Sequence, residues 1–280
     1  NGLKSINHDL QIPSAQIKSA ILLASVFGSG QTTIKTKTKS RDHTEIMLRD
    51  FSSSISSENN MIHITGGDLL SPGQVQVPGD VSSAAFLILA TLISKSSELI
   101  IENVGLNPTR TGFIEIMKLM GGNIKTVINN QKKSSEKIGS IIIKSSKLKG
   151  IKVPKHLITS AIDELPLVFL AGACAKGSTI IRNAEELRYK ESDRINSMIK
   201  TLNQFRITTK EFNDGAIIEG GIITGGSIDS FGDHRIAMTA LVASCVSEKP
   251  IIVENCKNID TSFPTFKKIM NLIGMNIRAY

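Results

Sequence analysis

Four times along the chain a short polar cluster leads into an apolar run with helical spacing, then a turn, then a β-rich run. The clusters are Pro13-Ser14-Ala15-Gln16, Pro78-Gly79-Asp80-Val81-Ser82-Ser83, Asp163-Glu164-Leu165-Pro166 and Gly232-Asp233-His234-Arg235. Helices are expected over 17–26, 84–93, 167–175 and 236–246, followed by strands over 32–34, 98–102, 177–181 and 250–253. A second helix is expected after each strand, over 44–50, 112–120, 192–202 and 263–273, where apolar residues recur every three to four positions. Gly121 and Gly274 stand where a left-handed residue ends a helix. β-rich stretches over 61–65, 141–144 and 216–219 close the units. Measured from Ser14, Asp80, Asp163 and Asp233, the clusters are 66, 83 and 70 residues apart. That is too long for a solenoid repeat. It suits an α/β fold of βαβ-type units packed around a shared core.

The rest of the composition narrows the function. No stretch approaches eighteen consecutive apolar residues, so no membrane span is expected. Net charge is +8 with a pI near 9.4, which admits a nucleic acid or an anionic metabolite as partner. With no Trp and two Tyr there is little to stack bases on, and lysines such as those in 131–137 read as solvated hairpin tips. Nucleic-acid binding is therefore not expected. Three cysteines without metal spacing read as thiols in a reducing, cytoplasmic compartment, and no metal site is expected.

Each polar cluster sits where a loop enters a helix. Helix N-termini carry unpaired N–H groups and partial positive charge, so several of them facing one cleft would attract anions. Ser14 and Gln16 add hydrogen-bonding groups, and His234 and Arg235 add cationic donors. The charged segment 185–194 follows a buried-looking strand and precedes a helix. Lys190, Glu191 and Arg194 are expected within one turn of each other. They combine a carboxylate able to move a proton with two cations able to hold phosphate or carboxylate.

These clusters resemble the 5-enolpyruvylshikimate-3-phosphate (EPSP) synthase family, in its bacterial class II branch. The matching stretches are Ser14-Ala15-Gln16-Ile17-Lys18-Ser19-Ala20, Ser40-Arg41-Asp42-His43-Thr44-Glu45, Pro78-Gly79-Asp80 with Val81 to Phe86, and Asp163-Glu164-Leu165-Pro166. They continue with Leu187-Arg188-Tyr189-Lys190-Glu191-Ser192-Asp193-Arg194, Gly232-Asp233-His234-Arg235-Ile236-Ala237-Met238 and Thr261-Ser262-Phe263-Pro264, all in the family's order. The resemblance implies an inside-out barrel of βαβαββ units, six in two globules. Four are visible here: 1–76 as the last unit of an incomplete first globule, and 77–280 as a second globule of three, hinged near Val77. The family's Lys-Ser…Arg and Asn-Ala-Gly-Thr motifs, and an arginine for phosphoenolpyruvate, are not among the 280 residues. The chain alone is therefore expected to be inactive.

The resemblance further implies transfer of the enolpyruvyl group of phosphoenolpyruvate to the 5-hydroxyl of shikimate 3-phosphate, without cofactor or metal. Asp163 would be the base, Glu191 the proton donor, and Lys190 a charge-stabilising contact to the substrate. Arg194 and Arg235 would clamp phosphoenolpyruvate. Ser14, Ala15 through its backbone, Gln16 and Arg41 would hold shikimate 3-phosphate. Full-length members of the family are expected to be monomers. Enolpyruvyl transfer to a nucleotide sugar is the alternative in the same fold, and a non-catalytic phosphate-binding relative is another. The Lys-Glu-Ser-Asp-Arg motif argues against the first, and retention of Asp163, Glu191, Arg194 and Arg235 argues against the second. Two positions depart from the family. Glu186 stands where many members have Asn, and Ser52 replaces the Gly that would end the helix before it.

Overall fold

In the computed structural model, residues 2–11, 14–67, 70–71, 75–129 and 136–279 are described. Pro13 of the first cluster and most of the 131–137 stretch lie outside them. The chain divides into two compact units. Unit 1 is Asn1–Pro78 with Gly105–Arg110 and Ile128–Ile138, and unit 2 is Gly79–Val104, Thr111–Val127 and Gly139–Tyr280. The two excursions that belong with unit 1 have no signature in the repeat pattern.

Unit 1 runs β1 (Leu3–Lys4), β2 (Asn7–Leu10), α1 (Ala15–Val26), β3 (Gly28–Ser29), β4 (Gln31–Thr36), α2 (His43–Asp50), β5 (Ile55–Glu58) and β6 (Met61–Thr65). Its four-stranded sheet has the order β2-β4-β6-β5. β2 runs parallel to β4, with α1 as the crossover between them, and β5 and β6 form an antiparallel hairpin. Alternation puts Ile34, Ile62, Ile64 and Ile55 on one face, where Leu10, Leu22 and Leu48 close the core.

Unit 2 repeats that plan twice, and a third time without the closing pair of strands among the described residues. The first copy is α3 (Val81–Ile93), β7 (Glu98–Gly105), α4 (Gly112–Leu119), β8 (Asn123–Ile128) and β9 (Ile138–Lys144). The second begins with α5 (Lys155–Ile158) and a 3-10 turn over Thr159–Glu164. It continues through α6 (Leu165–Cys174), β10 (Ser178–Ile181), a 3-10 turn over Glu185–Tyr189, α7 (Arg194–Gln204), β11 (Thr209–Phe212) and β12 (Gly215–Glu219). The third is β13 (Gly226–Asp229), α8 (His234–Ala243), β14 (Ile251–Glu254), a 3-10 turn over Cys256–Asn258, α9 (Ile259–Ser262) and α10 (Phe266–Leu272).

The sheets β7-β9-β8 and β10-β12-β11 match β4-β6-β5 of unit 1, the closing strand lying in the middle each time. The parallel partner ahead of the first helix also recurs. It is β2 beside β4, Gly79 beside Val104, Lys152 beside Ile180, and β13 beside β14. The repeat is therefore βαβαββ, as expected.

α3 and α6 are apolar on nearly all sides, α8 is apolar after His234 and Arg235, and the three pack against one another in the interior. The second helices α4 and α7 are amphipathic and bury one face. The helical run Lys155–Cys174 is long and apolar enough to cross a membrane by length and composition, although no uninterrupted apolar stretch of that length exists in the sequence. Most of it is buried inside unit 2, which is what a core helix does.

Two boundaries differ from expectation for identifiable reasons. The expected helix over 263–273 starts only at Phe266, because Pro264 bars Phe263 from helical backbone; Phe263 sits at φ −140°, ψ 73°. The expected helix over 192–202 starts at Arg194, capped by Asp193, whose carboxylate accepts from the Asn196 amide at 3.0 Å. Gly121 and Gly274 take the left-handed conformation, at φ 92° and 107°.

Ser52 does the same at φ 65°, directly after α2. A side chain there strains the backbone by about 1 kcal/mol relative to glycine. Ser52→Gly is therefore expected to raise the urea midpoint of unit 1, equivalent to about 1 kcal/mol. An unchanged or lowered midpoint would show that the Ser52 side chain offsets the strain.

Candidate active site

Unit 2 gathers most of the charged residues singled out in the sequence around Asp163. That aspartate lies in the 3-10 turn ahead of α6, not at a loop-to-helix junction, and its side chain is 16% exposed. Lys190 Nζ and Arg194 Nη1 each stand 3.9 Å from Asp163 Oδ1. Arg235 Nη1 donates to the Asp163 carbonyl at 2.8 Å and lies 3.6 Å from Glu164 Oε1. Glu164 is buried and accepts a hydrogen bond from the Ser82 hydroxyl of α3. Three elements therefore fix where Arg235 points.

Arg194 is 1% exposed. Its Nε donates to Asp233 Oδ2 at 2.8 Å, and its Nη2 donates to Glu191. Asp233 is fully buried. Its Oδ1 caps α8 by accepting from the Arg235 amide at 2.8 Å, and its Oδ2 also accepts from the Ser192 hydroxyl at 3.1 Å. Burial alone would push this carboxyl up. The hydrogen bonds and charge of Arg194, with the Arg235 amide and Ser192, outweigh burial and hold it below the usual carboxylate range.

Lys190 and Glu191 do not share a helical turn with Arg194. They lie in the stretch between the 3-10 turn over Glu185–Tyr189 and α7, and Lys190 is in extended backbone. Lys190 Nζ donates to Glu186 Oε1 at 2.5 Å, so Glu186 gives this lysine a carboxylate partner. Glu191 has a side chain 52% exposed and tied to Arg194. Arg188 fixes the segment from behind. Its guanidinium donates to Asp193, to Glu211 and to the carbonyls of Phe212 and Asn213 in the hairpin β11–β12.

Two of the four helix starts in the polar clusters, those of α3 and α8, are capped from within the chain. Asp80 accepts from the Ser82 and Ser83 amides, and Asp233 caps α8, so the protein's own carboxylates already satisfy these N–H groups. His234 is not a cation. Burial first, then the charge of Arg235, lowers its pKa below the ordinary imidazole value, which leaves the ring neutral at pH 7. The positive charge facing Asp163 comes from Lys190, Arg194 and Arg235.

The other expected residues lie in unit 1. Ser14 is the N-cap of α1, its hydroxyl accepting from the Ile17 amide at 3.3 Å. Ala15 and Gln16 open the helix, with Gln16 exposed. Arg41 is half-buried between β4 and α2, and its carbonyl accepts from Lys18 Nζ at 2.7 Å. Four buried polar residues were not assigned roles from the sequence: Lys18 and Glu45 in unit 1, and Ser82 and Glu164 in unit 2. For Lys18 and Glu164 the available signal was a charge inside or beside an otherwise apolar helical run. Among the described residues, no cluster of His, Cys, Asp and Glu could hold a metal ion.

The family model for EPSP synthase (3-phosphoshikimate 1-carboxyvinyltransferase) matches residues 1–270. The 3-phosphoshikimate 1-carboxyvinyltransferase of Legionella pneumophila (strain Corby) is 44% identical over 278 residues, covering 99% of this chain and 64% of the relative. That of Vesicomyosocius okutanii is 46% identical over 277 residues, covering 98% and 63%. A solved structure of EPSP synthase from Acinetobacter baumannii superposes with a TM-score of 0.93 at 43% identity, covering 99% of this chain and 64% of that one. The chain thus spans just under two thirds of the length of these relatives. With the motifs in order and the fold shared, the chain belongs to the EPSP synthase (3-phosphoshikimate 1-carboxyvinyltransferase) family.

Proposed function

We propose that this chain carries most of the apparatus for enolpyruvyl transfer from phosphoenolpyruvate to the 5-hydroxyl of shikimate 3-phosphate, a step toward chorismate and the aromatic amino acids. The observation that carries the reading is Asp163 facing Lys190 and Arg194 at 3.9 Å, with Arg235 bonded to its carbonyl. Asp163 takes the proton of the 5-hydroxyl as that oxygen bonds to C2 of phosphoenolpyruvate. Glu191 delivers a proton to C3, giving a tetrahedral adduct. Elimination breaks the C2–O bond to phosphate and returns the C3 proton to Glu191. The hydroxyl proton leaves on the phosphate, so atoms and charge balance.

Arg194 and Arg235 clamp the carboxylate and phosphate of phosphoenolpyruvate, a task suited to planar guanidinium groups held by Asp233 and Glu164. Lys190 steadies the charge that develops during addition. In unit 1, Ser14, the Ala15 backbone, Gln16 and Arg41 hold shikimate 3-phosphate. No cofactor or metal enters this scheme. The same reading treats 1–76 as the last unit of a first globule and 77–280 as a second.

We also place the protein in the reducing cytoplasm. Burial first, then the neighbouring Cys245, pushes the Cys174 thiol up to about 12, and burial raises Cys245 as well. Neither is a reactive thiolate.

The 280-residue chain is expected to bind shikimate 3-phosphate in a calorimetric titration. It is also expected to release no phosphate above background when phosphoenolpyruvate is added. Robust turnover by this chain would overturn the assignment of part of the phosphoenolpyruvate site to residues outside it. Absence of shikimate 3-phosphate binding would remove the roles given to Ser14, Gln16 and Arg41.

A further inference from the structure

Lys18 is the one charged side chain in the apolar run 17–26, and it is 2% exposed. Its Nζ lies 2.6 Å from Glu45 Oε1 and donates to the Arg41 carbonyl at 2.7 Å. Glu45 stands on α2 and is 3% exposed; its Oε2 is buried with no hydrogen-bond partner among the described residues. The hydroxyls of Ser19 and Thr44 join the same two helices at 2.7 Å. On the other side of Arg41, Asp42 Oδ1 accepts from Asn107 Nδ2 at 2.7 Å. Asn107 is itself buried, and its Oδ1 accepts from both the amide and the hydroxyl of Thr109, which fixes its orientation.

Stability does not account for this pair. Two desolvated charges repay their burial only when every lone pair is matched, and an apolar pair of similar volume is often as stable or more so. Here one carboxylate oxygen is unmatched. An apolar pair, however, cannot hold a carbonyl in place, and Lys18 does that for Arg41. The charge of Lys18 is countered by Glu45.

We propose that Lys18 and Glu45 are positioning residues for Arg41. The pair anchors the backbone at Arg41, and Asn107 anchors the next residue. The guanidinium therefore starts from a fixed point when it meets an oxyanion of the substrate. Less conformational freedom is then lost on binding. The inference rests on the reading that Arg41 holds shikimate 3-phosphate.

The test compares Lys18→Met/Glu45→Leu with Arg41→Ala in the 280-residue chain. Three quantities are read: the urea midpoint, the order parameter of the Asp42 amide from 15N relaxation, and the affinity for shikimate 3-phosphate by calorimetry. The double variant is expected to keep or raise the midpoint. Its Asp42 amide falls from the rigid range of about 0.85 to below about 0.6, and binding weakens about tenfold, or by about 1.4 kcal/mol. Should the double variant fail to fold, Glu45→Gln carries the same test, with a looser Asp42 amide and severalfold weaker binding expected. A folded variant with a rigid Asp42 amide and unchanged affinity overturns the positioning role. If Arg41→Ala binds as tightly as the parent, the assignment of Arg41 falls instead, and the Asp42 amide still decides whether the pair anchors the backbone.

Discussion

In a form of this protein that spans the whole length of its relatives, Asp163→Ala is expected to lower turnover by about a hundredfold or more, the contribution of a positioned general base. The reason is geometric. Asp163 presents a carboxylate held between Lys190 and Arg194, on a turn that runs directly into the buried helix α6. Removing it leaves no carboxylate between those two cations and, on the proposed reading, no acceptor for the 5-hydroxyl proton. Phosphate release under saturating substrates measures the effect. Asp163→Asn separates charge from shape, and it too is expected to fall by about two orders of magnitude, because an amide cannot accept the proton. A near-normal rate in either variant removes Asp163 from the role of base.

The second large effect concerns stability. Asp233→Ala is expected to destabilise unit 2 by about 3–5 kcal/mol, because it strands the Arg194 charge in the interior. Arg194 is 1% exposed, and Asp233 supplies its Nε acceptor, the cap of α8 and an acceptor for Ser192. That loss is a large share of the 5–15 kcal/mol typical of a folded domain. The pH dependence follows from the same pair. The folded-state pKa of Asp233 is lowered, so its contribution is fully present above the ordinary carboxylate value. It is lost as pH falls through the lowered folded value. The thermal unfolding temperature of the parent is therefore expected to fall on acidification below the normal Asp range. Asp233→Asn should show a smaller acid-dependent loss. If the two acid profiles coincide, Asp233 is not the linked group.

Much of this architecture was legible in the sequence, because a fold that repeats itself repeats its signals. Apolar helical runs, β-rich closures and terminating glycines recur at similar intervals, and α1, α3, α6 and α8 lie where those runs predict. The motifs also named the charged side chains that stand around Asp163. What escaped notice is long-range. Lys18 meets Glu45 across 27 positions in the chain, and Ser82 meets Glu164 across 82. Neither pairing leaves a local pattern, since α1 and α3 read as simply apolar around those residues.

The neutral state of His234 escaped for a related reason. A histidine at a helix start looks like a cation until its burial and the neighbouring Arg235 are known. The capping carboxylates of Asp80 and Asp233 were visible as residue types. Their consequence was not, because an aspartate in a polar cluster is equally consistent with binding a ligand and with capping its own helix. At α8 the helix start thus serves as a support for Arg194, through Asp233. The strained Ser52 is the opposite case, where the sequence alone flagged a missing glycine and the backbone shows the conformation it would have relieved.

The most direct measurement is a coupled assay on the form that spans its relatives' full length, supplied with phosphoenolpyruvate and one acceptor at a time. Shikimate 3-phosphate is expected to give one phosphate and one 5-enolpyruvyl product per turnover, with both lost in Asp163→Ala. No phosphate release with shikimate 3-phosphate, or release only with a nucleotide sugar as acceptor, would contradict the account.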